Sequence, residues 1–271
     1  MGKTNGTERS RISKILSGRY IFTALIAVFI IAGAVAAYRL ITIERDYLTA
    51  KNEYNELREL SPIRMASPDW IESQPDFSEP GQDSKIETGQ ESNTHDMPDL
   101  AEINRDYIGW IHIDDTVIDY PVVQGFDNIK YLSTTFRSER SSSGTIFMDA
   151  GCSGDFSGFS LLHGHNMKNG SMFADLNTFT GMTAPFPDIS IFTKDGRLLT
   201  FTIFDVKTVD QSDRIFTLPG RNLNDAAAYF SGYGITSQDF IDGMNILVLA
   251  TCTSGNRDER LLVFAKHNDI H

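Results

Sequence analysis

The fold of this chain is decided by two apolar runs, Asn245-Ile-Leu-Val-Leu-Ala250 and Leu261-Leu-Val-Phe264. Both are short, rich in branched residues and bounded by turn residues, a pattern typical of buried β-strands. The polar link Ser254–Asp258 predicts a turn, so we expect the two strands to pair as a hairpin. Such pairing brings Cys252 opposite Arg260 at the mouth of the hairpin. A thiolate beside a fixed cation is suited to acyl-transfer chemistry.

Other short elements are predicted upstream of this hairpin. The strand candidates are residues 108–113, 117–123, 145–148 and 159–162, and a hairpin over 189–204 that turns at Asp195-Gly196. A helix is predicted over Asn224–Phe230 with Asn224 as its N-cap, and another begins at Ser237. Many short strands with few helices predict a mainly β fold, a closed or nearly closed β-barrel with short helices.

The N-terminal region differs from the rest of the chain. Residues Tyr20–Tyr38 form an uncharged apolar run that is long enough to cross a bilayer as a helix. Five basic residues and one acid precede it, a bias that places the N-terminus in the cytoplasm and the residues after Arg39 outside. A signal peptide cleaved at Ala34-Val-Ala36 is the alternative. The run is longer than a usual signal-peptide core, which favours a retained anchor.

Composition divides the chain into five parts. Residues 1–19 are predicted to be a cytoplasmic basic tail, residues 20–41 a transmembrane anchor, and residues 42–60 a stalk helix with apolar residues at three- and four-residue spacing. Residues 61–97 contain four prolines among Ser, Gln, Asp and Glu, which predicts a flexible acidic linker. Residues 98–271 are predicted to form the catalytic domain.

Charge excludes some classes of partner. The chain has 24 basic and 36 acidic residues and a net charge of −12. Residues 1–41 hold six basic residues and one acid, a net +5, so the remaining residues carry −17. An acidic exterior argues against binding nucleic acid, and against binding anionic lipid through a basic patch.

The two cysteines, Cys152 and Cys252, allow two interpretations. In an exported protein the default for an even pair is a disulfide. The position of Cys252 at a strand end favours a working thiol instead, and Cys152 has the context of an incidental loop cysteine. The sequence alone does not supply the geometry that a disulfide requires.

A cysteine nucleophile needs a proton partner, which is usually a histidine. Of the six histidines, His163 and His165 lie at the end of an apolar strand and enter a glycine-containing loop, where catalytic groups are common. The other four lie in the linker, near the C-terminal end or within an alternating strand. The residues alone leave three readings open: Cys–His catalysis, a metal site on the His-Gly-His pair, and a structural role.

Five segments occur along the chain in a characteristic order. They are Tyr107–Ile113, Ile118–Gly125, Gly144–Asp149, Gly164–Phe173, and Thr251-Cys-Thr253 followed by Arg260 and Ala265-Lys266. In this order they closely resemble sortases, the membrane-anchored cysteine transpeptidases of Gram-positive bacteria, and class B in particular. The resemblance covers the predicted catalytic domain. It implies a closed sortase-type barrel of about eight strands, and chemistry that needs no metal or organic cofactor.

The resemblance also implies roles for individual residues. Cys252 is the expected nucleophile and His165 the proton carrier, so the other histidine of the pair has no assigned role. Arg260 is expected to hold the substrate backbone and to stabilise the oxyanion, a task suited to a forked, permanently charged donor. A carboxylate that assists His165 is not identified; the candidates are Asp149 and Asp258.

A groove for the substrate is implied as well. The residues expected to line it are Asn128, Leu132 and Thr251. Class B sortases usually have a serine two residues before the cysteine, whereas this chain has Ala250. Any hydrogen bond from that serine to the substrate is absent here, which bears on peptide preference more than on the reaction.

The reaction implied is cleavage after the threonine of a C-terminal sorting motif, of the Asn-Pro-x-Thr-Asn or x-Pro-x-Thr-Gly type, through a cysteine thioester. The implied partners are surface proteins that carry this signal, an amine of a peptidoglycan precursor or cross-bridge, and the membrane through the N-terminal helix. The expected location is the cell membrane, with a single span and an extracellular catalytic domain. The alternatives are a pilin-polymerising sortase, a hydrolytic cysteine peptidase, and a surface-binding β-domain without enzymatic activity.

Overall fold

A computed structural model of the chain describes residues 5–62, 100–220, 222–253, 255–256 and 258–267. Side chains are described from Tyr20 onward, except that of Ile21. Nearly all of the predicted linker over residues 61–97 lies outside the described residues. The chain divides into two compact units, residues 1–49 and residues 50–271.

The first unit is the greater part of helix α1 (Asn5–Arg58). From Phe22 onward α1 contains an apolar window with a mean hydropathy of 2.3, none of which is buried. A helix that is apolar all round, and not packed inside a protein, is of the kind that a lipid environment covers. By length and composition α1 is therefore able to cross a membrane, as the apolar run predicts.

The last turns of α1 belong to the second unit. Ala50, Tyr54 and Leu57 recur at helical spacing, and all three are buried. The ring of Tyr54 meets that of Tyr120 edge to face at 5.3 Å, and the guanidinium of Arg58 lies 4.6 Å from the centre of the Tyr120 ring. The end of the predicted stalk is thus packed onto the folded unit.

Eight strands in the second unit form a closed barrel. In chain order they are β1 (Tyr107–Ile113), β2 (Asp119–Val123), β3 (Ile146–Met148), β4 (Phe159–His163), β5 (Ile189–Thr193), β6 (Leu198–Asp210), β7 (Asn245–Cys252) and β8 (Glu259–His267). Around the barrel the order is β1-β2-β3-β4-β7-β8-β6-β5, and β5 pairs again with β1. The predicted fold class, a mainly β closed barrel of about eight strands, is confirmed.

Two features of the pairing position the functional site. β7 and β8 form the predicted antiparallel hairpin, in which Cys252 pairs with Arg260. β4 and β7, by contrast, are parallel neighbours, and their ladder runs from Phe159 with Ile246 to His163 with Ala250. Strands that run in the same direction end at the same edge of the sheet, so the chain leaves β4 and β7 side by side.

The strand β6 is longer than the sequence pattern indicates. The β5–β6 hairpin turns at Asp195-Gly196 as predicted, and Gly196 has the positive φ of 88° that glycine adopts readily. The predicted strand ends at residue 204, but β6 continues to Asp210 because it pairs with β8 over its second half. This long-range pairing carries the chain from the hairpin to the edge of the cavity described below.

Besides 3-10 turns, the residues described from Leu100 onward include three short α-helices: α2 (Leu100–Ile103), α3 (Leu223–Phe230) and α4 (Ser237–Ile241). The N-cap of α3 is Asn222, whose side chain accepts the N–H of Asp225 at 3.1 Å, so the prediction of Asn224 as N-cap is wrong. Either asparagine fits the sequence pattern, but Asn222 has the extended backbone that a cap requires. α4 begins at Ser237 as predicted.

One face of the β7–β8 hairpin packs against α3. The apolar cluster on this face includes Ile246, Val248 and Ala250 of β7, Leu262 and Phe264 of β8, and Ala226, Ala227 and Phe230 of α3. Burial of each large apolar side chain stabilises the fold by about 1.5–3 kcal/mol. Because side chains alternate along a strand, Cys252 and Arg260 point to this same face, just beyond the end of the cluster.

Candidate active site

A cavity of about 370 Å³ opens where β4, β6 and β7 end and β8 begins. The six residues predicted to be catalytic or substrate-binding all line it: Asn128, Leu132, His165, Thr251, Cys252 and Arg260. Other lining residues used below are Phe147, Asp149, His163, Gln211, Phe216 and Ala250. The fold therefore brings the predicted site residues to one cavity, although they are far apart in the sequence.

Cys252 and Arg260 meet through the hairpin. They pair across β7 and β8 at the end of the ladder, and neither side chain is fully buried. Nη1 of Arg260 donates to the backbone oxygen of Glu259 at 2.9 Å, and Nη2 donates to Oε1 of Gln211 at 3.3 Å. A permanent positive charge is thus held on the strand opposite the thiol.

His165 reaches the same place through the parallel strand pair. The ladder between β4 and β7 ends with His163 opposite Ala250. His165 and Cys252 each lie two residues beyond this last pair, one after β4 and the other at the end of β7. Nδ2 of Asn166 then donates to the backbone oxygen of Cys252 at 2.8 Å, which ties the histidine loop to the end of β7.

The imidazole of His165 has a defined hydrogen bond. Its Nε2 lies 2.8 Å from the backbone oxygen of Leu132. A carbonyl oxygen only accepts hydrogen bonds, so Nε2 is assigned as the protonated nitrogen that donates. Nδ1 is then the ring nitrogen at which a proton can be exchanged. Leu132 lines the cavity as predicted, but this backbone contact is a role that the sequence does not indicate.

The loop that carries His165 is held by close packing. A Cβ on Gly164 would lie 2.5 Å from the ring of Phe173, so no other residue fits there without displacement. The N–H of Phe173 donates to the backbone oxygen of His165 at 2.9 Å, and the N–H of Met172 donates to the hydroxyl of Tyr120 at 3.1 Å. Gly164 therefore lets the loop return tightly against the barrel and fixes where His165 emerges.

The second histidine of the pair has its own partner. Nε2 of His163 lies 3.3 Å from Oδ2 of Asp149, and its ring stacks on those of Phe147 and Phe216 at 5.0 and 6.4 Å. Burial raises the pKa of the Asp149 carboxyl, but hydrogen bonds from His163, a backbone N–H and Asn128 outweigh it, and the pKa lies below its usual range. Asp149 is thus an ionised partner of His163 at the wall of the cavity.

The two candidate helper carboxylates are engaged by other groups. Asp149 accepts from Asn128 at 2.7 Å and faces His163, not His165. Asp258 accepts from Nε2 of Gln211 at 3.1 Å. His165 is oriented instead by the hydrogen bond that its Nε2 donates to the backbone oxygen of Leu132.

The residues predicted to line the substrate groove differ in their hydrogen bonding and burial. The amide of Asn128 bridges the Asp149 carboxylate and the N–H of Ala150, so it supports the cavity wall. Thr251 is buried, and its Oγ1 has no hydrogen-bond partner within the described part of the chain. Ala250 also lines the cavity, with a methyl side chain and no hydroxyl.

The metal reading of the His-Gly-His pair finds no support in side-chain placement. His163 faces a carboxylate and His165 faces a backbone carbonyl, so the two rings have separate partners. Within the described ranges, no group of three or more His, Cys, Asp and Glu side chains is arranged to hold a metal ion.

Both cysteines are free thiols. Burial raises the pKa of the Cys152 thiol to about 12, against the lowering effect of a hydrogen bond from the backbone of Leu161, and the nearby carboxylate of Asp149 adds a smaller rise. At neutral pH Cys152 is therefore a protonated, unreactive thiol. Cys252 lines the cavity with Arg260 opposite. The disulfide that an even number of cysteines suggests is not formed.

Two lining residues, Gln211 and Phe216, have no signal in the sequence. Gln211 follows directly after β6, and Phe216 lies in the 3-10 helix Arg214–Thr217. Both reach the cavity only because the second half of β6 pairs with β8. Nothing local in the chain indicates this pairing, since it depends on residues far apart in sequence.

The comparisons with known proteins all point to the same protein family. The family model described as Sortase domain matches residues 111–268, more than half of the chain. Sortase B of Listeria monocytogenes is 42% identical over 85 residues, which are 31% of this chain and 35% of that protein. Sortase B of Staphylococcus aureus is 36% identical over 81 residues, 30% and 33% of the two chains. The chain thus spans about a third of the length of the curated relatives it matches.

Solved structures give the same result over a longer stretch. The X-ray structure of Clostridium perfringens sortase B is 31% identical, covers 63% of this chain and 98% of its own, and has a TM-score of 0.55. A Streptococcus pyogenes class B sortase involved in pilus biogenesis is 27% identical, covers 64% and 98%, and has a TM-score of 0.54. Both are similar to the described barrel over nearly their whole length.

Proposed function

Because the chain belongs to the sortase family, we propose that it is a class B cysteine transpeptidase whose site consists of Cys252, His165 and Arg260. The observation that carries the proposal is the convergence of two strand pairings at one cavity. The β7–β8 hairpin places Arg260 opposite Cys252, and the parallel pair of β4 and β7 brings His165 alongside. A thiol, a proton carrier and a fixed cation are the groups that acyl transfer through a thioester requires.

The first half of the reaction forms the acyl-enzyme. The thiolate of Cys252 attacks the carbonyl carbon of the threonine in a sorting motif, a C–S bond forms, and the carbonyl electron pair moves onto oxygen. The guanidinium of Arg260 donates to this oxyanion. As the C–N bond breaks, imidazolium His165 gives the proton on Nδ1 to the departing amine, which leaves a thioester.

The second half transfers the acyl group. An incoming primary amine attacks the thioester carbonyl, and the oxyanion forms again beside Arg260. Neutral His165 accepts the proton that the amine loses, and Cys252 departs as thiolate when the C–S bond breaks. The enzyme returns to its starting protonation state. All these steps use side chains of this chain alone.

Part of the cavity wall offers apolar surface to a bound peptide. Leu132, Phe147 and Phe216 supply apolar surface, and Ala250 adds a methyl group close to the thiol. We propose a motif of the Asn-Pro-x-Thr-Asn or x-Pro-x-Thr-Gly type. The partners in this proposal are surface proteins with such a C-terminal signal and an amine of the cell-wall peptide.

The apolar part of α1 supports a location for this reaction. We propose that α1 anchors the protein in the cell membrane with its basic N-terminus in the cytoplasm, so that the barrel lies outside the cell. External protease added to intact cells tests this orientation. Digestion of the barrel with protection of the N-terminal tail is the expected result, and the reverse pattern contradicts the proposed topology.

A peptide panel tests the reaction itself. The protein is incubated with Asn-Pro-x-Thr-Asn, Leu-Pro-x-Thr-Gly and Pro-Pro-x-Thr-Gly peptides, with and without an added amine. We expect cleavage after threonine for one motif, a thioester on Cys252 detected by intact-mass spectrometry, and an amide product when amine is present. Hydrolysis alone, unaffected by amine, supports the peptidase alternative. Absence of both cleavage and thioester with every peptide contradicts the proposal.

One relative favours a second candidate for the accepting amine. The Streptococcus pyogenes class B sortase that is similar to this chain is described as involved in pilus biogenesis. In that case the amine would be a lysine of another surface protein instead of a cell-wall peptide. Competition between a short cell-wall-type peptide and a folded surface protein as acceptor separates the two, because the preferred amine dominates the product.

A further inference from the structure

The guanidinium of Arg260 is contacted by a residue that no sequence motif indicates. The last residue of β6, Asp210, pairs with Glu259 at the start of β8. Gln211 comes next and lines the cavity. Its Oε1 accepts a hydrogen bond from Nη2 of Arg260 at 3.3 Å. Gln211 therefore reaches Arg260 from the neighbouring strand end.

Gln211 is itself held by the turn between β7 and β8. Its backbone N–H donates to the backbone oxygen of Asp258 at 2.6 Å, and its Nε2 donates to Oδ1 of the same residue at 3.1 Å. A glutamine amide has a donor and an acceptor on one plane. With the nitrogen bonded to Asp258, the oxygen is directed to Arg260.

We propose that Gln211 is a positioning residue that holds the Arg260 guanidinium in the orientation in which it meets the oxyanion. This inference rests on the proposed function and deepens it. Donors stabilise a developing charge best when they are already aimed at it, because no reorganisation is then needed. The bonds from Nη2 to Gln211 and from Nη1 to the Glu259 backbone define the guanidinium plane before substrate arrives.

The neutrality of Gln211 matters for this role. A carboxylate at this position could accept the same hydrogen bond, but it would offset the positive charge that the oxyanion needs. It would also repel Asp258, which now accepts from the amide nitrogen. The carboxylate of Asp210 already interacts with the charge of Arg260, and a glutamine orients the guanidinium without adding a second carboxylate beside it.

The kinetic test uses Gln211→Ala in the full-length protein. Removal of one oxyanion donor lowers kcat about 10²–10³-fold, so loss of its orientation alone is expected to lower kcat about tenfold. KM should stay within about twofold, since the charge develops only in the transition state. In an Arg260→Ala background the same substitution should change kcat by less than about twofold, because its effect acts through the arginine.

The matched control is Gln238→Ala. Gln238 lies on α4, and its Nε2 also donates to an aspartate, Asp242, at 2.8 Å. Wild-type kcat is expected for this variant. Three results overturn the proposal: wild-type kinetics in Gln211→Ala, a rise in KM with unchanged kcat, or an equal loss in the Arg260→Ala background, which would mean that Gln211 acts on the substrate directly.

A second measurement needs no substrate, so it separates this inference from the proposed function. The rates at which iodoacetate and iodoacetamide alkylate Cys252 are compared in Cys152→Ala protein. An oriented cation beside the thiol favours the anionic reagent, so the rate ratio should fall in Gln211→Ala towards its value in Arg260→Ala. If no peptide is cleaved but the ratio of alkylation rates falls in Gln211→Ala, the proposed function is contradicted, whereas the positioning of Arg260 by Gln211 is supported. A ratio that keeps its wild-type value in Gln211→Ala overturns the positioning.

Discussion

The two cysteines of the folded unit occupy opposite kinds of environment. Cys252 ends β7 at the cavity, and the residue opposite it on β8 is Arg260. Cys152 lies in the loop after β3, where burial and the carboxylate of Asp149 raise its pKa to about 12. Burial and negative charge both disfavour a thiolate. The thiol of Cys152 is therefore protonated at neutral pH, whereas that of Cys252 lines the cavity opposite a guanidinium.

The difference between the two cysteines lies in their surroundings. Cys152 packs at the border of the apolar cluster beneath α3, where it acts as a small apolar side chain. Its backbone oxygen accepts a hydrogen bond from Nε2 of Gln124 at 2.8 Å, which holds the loop in place. The amino-acid type is identical at both positions, and only the neighbours differ.

The largest expected effect comes from exchanging the two thiols for methyl groups. Cys252→Ala should lower peptide cleavage at least about 10⁴-fold, because it removes the group that forms the thioester. Cys152→Ala should leave kcat/KM within about twofold, as expected for a change away from the reacting atoms. Steady-state kinetics on the cleaved peptide measures both. Equal losses of kcat/KM in the two variants would contradict the proposal that Cys252 is the nucleophile and that Cys152 takes no part in the reaction.

A smaller loss is expected when the cation beside Cys252 is changed. Arg260→Ala should lower kcat about 10²–10³-fold, the usual cost of removing an oxyanion donor. Arg260→Lys should recover only part of this, because an ammonium keeps the charge but lacks the planar fork. The order of the three kcat values checks the role of the fork. Full activity in the lysine variant would show that charge alone is needed.

The raised pKa of Cys152 should make the free energy of unfolding depend on pH. In the unfolded chain a thiol has a pKa of about 8.5, and in the folded state the Cys152 thiol has a pKa of about 12. Between these values the folded protein keeps a proton that the unfolded chain releases, so its free energy of unfolding falls as pH rises. The limiting slope is about 1.4 kcal/mol per pH unit.

The measurement is chemical denaturation of wild type and Cys152→Ala from pH 8 to pH 10.5. Above about pH 9 the stability of the wild type should fall more steeply than that of the variant. The Tyr and Lys residues that titrate in this range are common to both proteins, so the difference isolates the thiol. Parallel stability curves would show that Cys152 is not buried as a protonated thiol.

The smallest expected effect concerns the residue two positions before the active thiol. Ala250→Ser adds one hydroxyl at the cavity. One added hydrogen bond to substrate contributes about 0.5–1.5 kcal/mol, so we expect the ratio of kcat/KM values between two sorting motifs to change about two- to tenfold. Competition between the two peptides measures this ratio. An unchanged ratio would mean that the residue does not contact the part of the motif that varies.

The sequence predicts the elements that depend on local pattern. The β7–β8 hairpin is recognisable because two apolar runs flank a polar turn, and its register follows closely enough to bring Cys252 opposite Arg260. The hairpin at Asp195-Gly196 is predicted for the same reason. Local pattern is less decisive for helix boundaries, and Asn222 caps α3 where Asn224 is predicted.

The contacts that the sequence does not predict all depend on distant strands. Gln211 reaches Arg260 because β6 continues along β8, and Asp149 reaches His163 because β3 pairs with β4. The packing of Tyr54 against the barrel is likewise invisible in a helical pattern that allows several partners. Periodicity indicates which side chains are buried, but it does not say which of the buried surfaces meet.

The parallel pairing of β4 with β7 also determines at which stage of folding the candidate site is assembled. Phe159 pairs with Ile246, 87 residues further along the chain, whereas Cys252 and Arg260 are joined by a short turn. Closing a long loop costs more entropy and is slower than forming a hairpin. We therefore expect the thiol to acquire its cation early in folding and its histidine only when the barrel closes, so that a half-folded chain holds no complete catalytic centre.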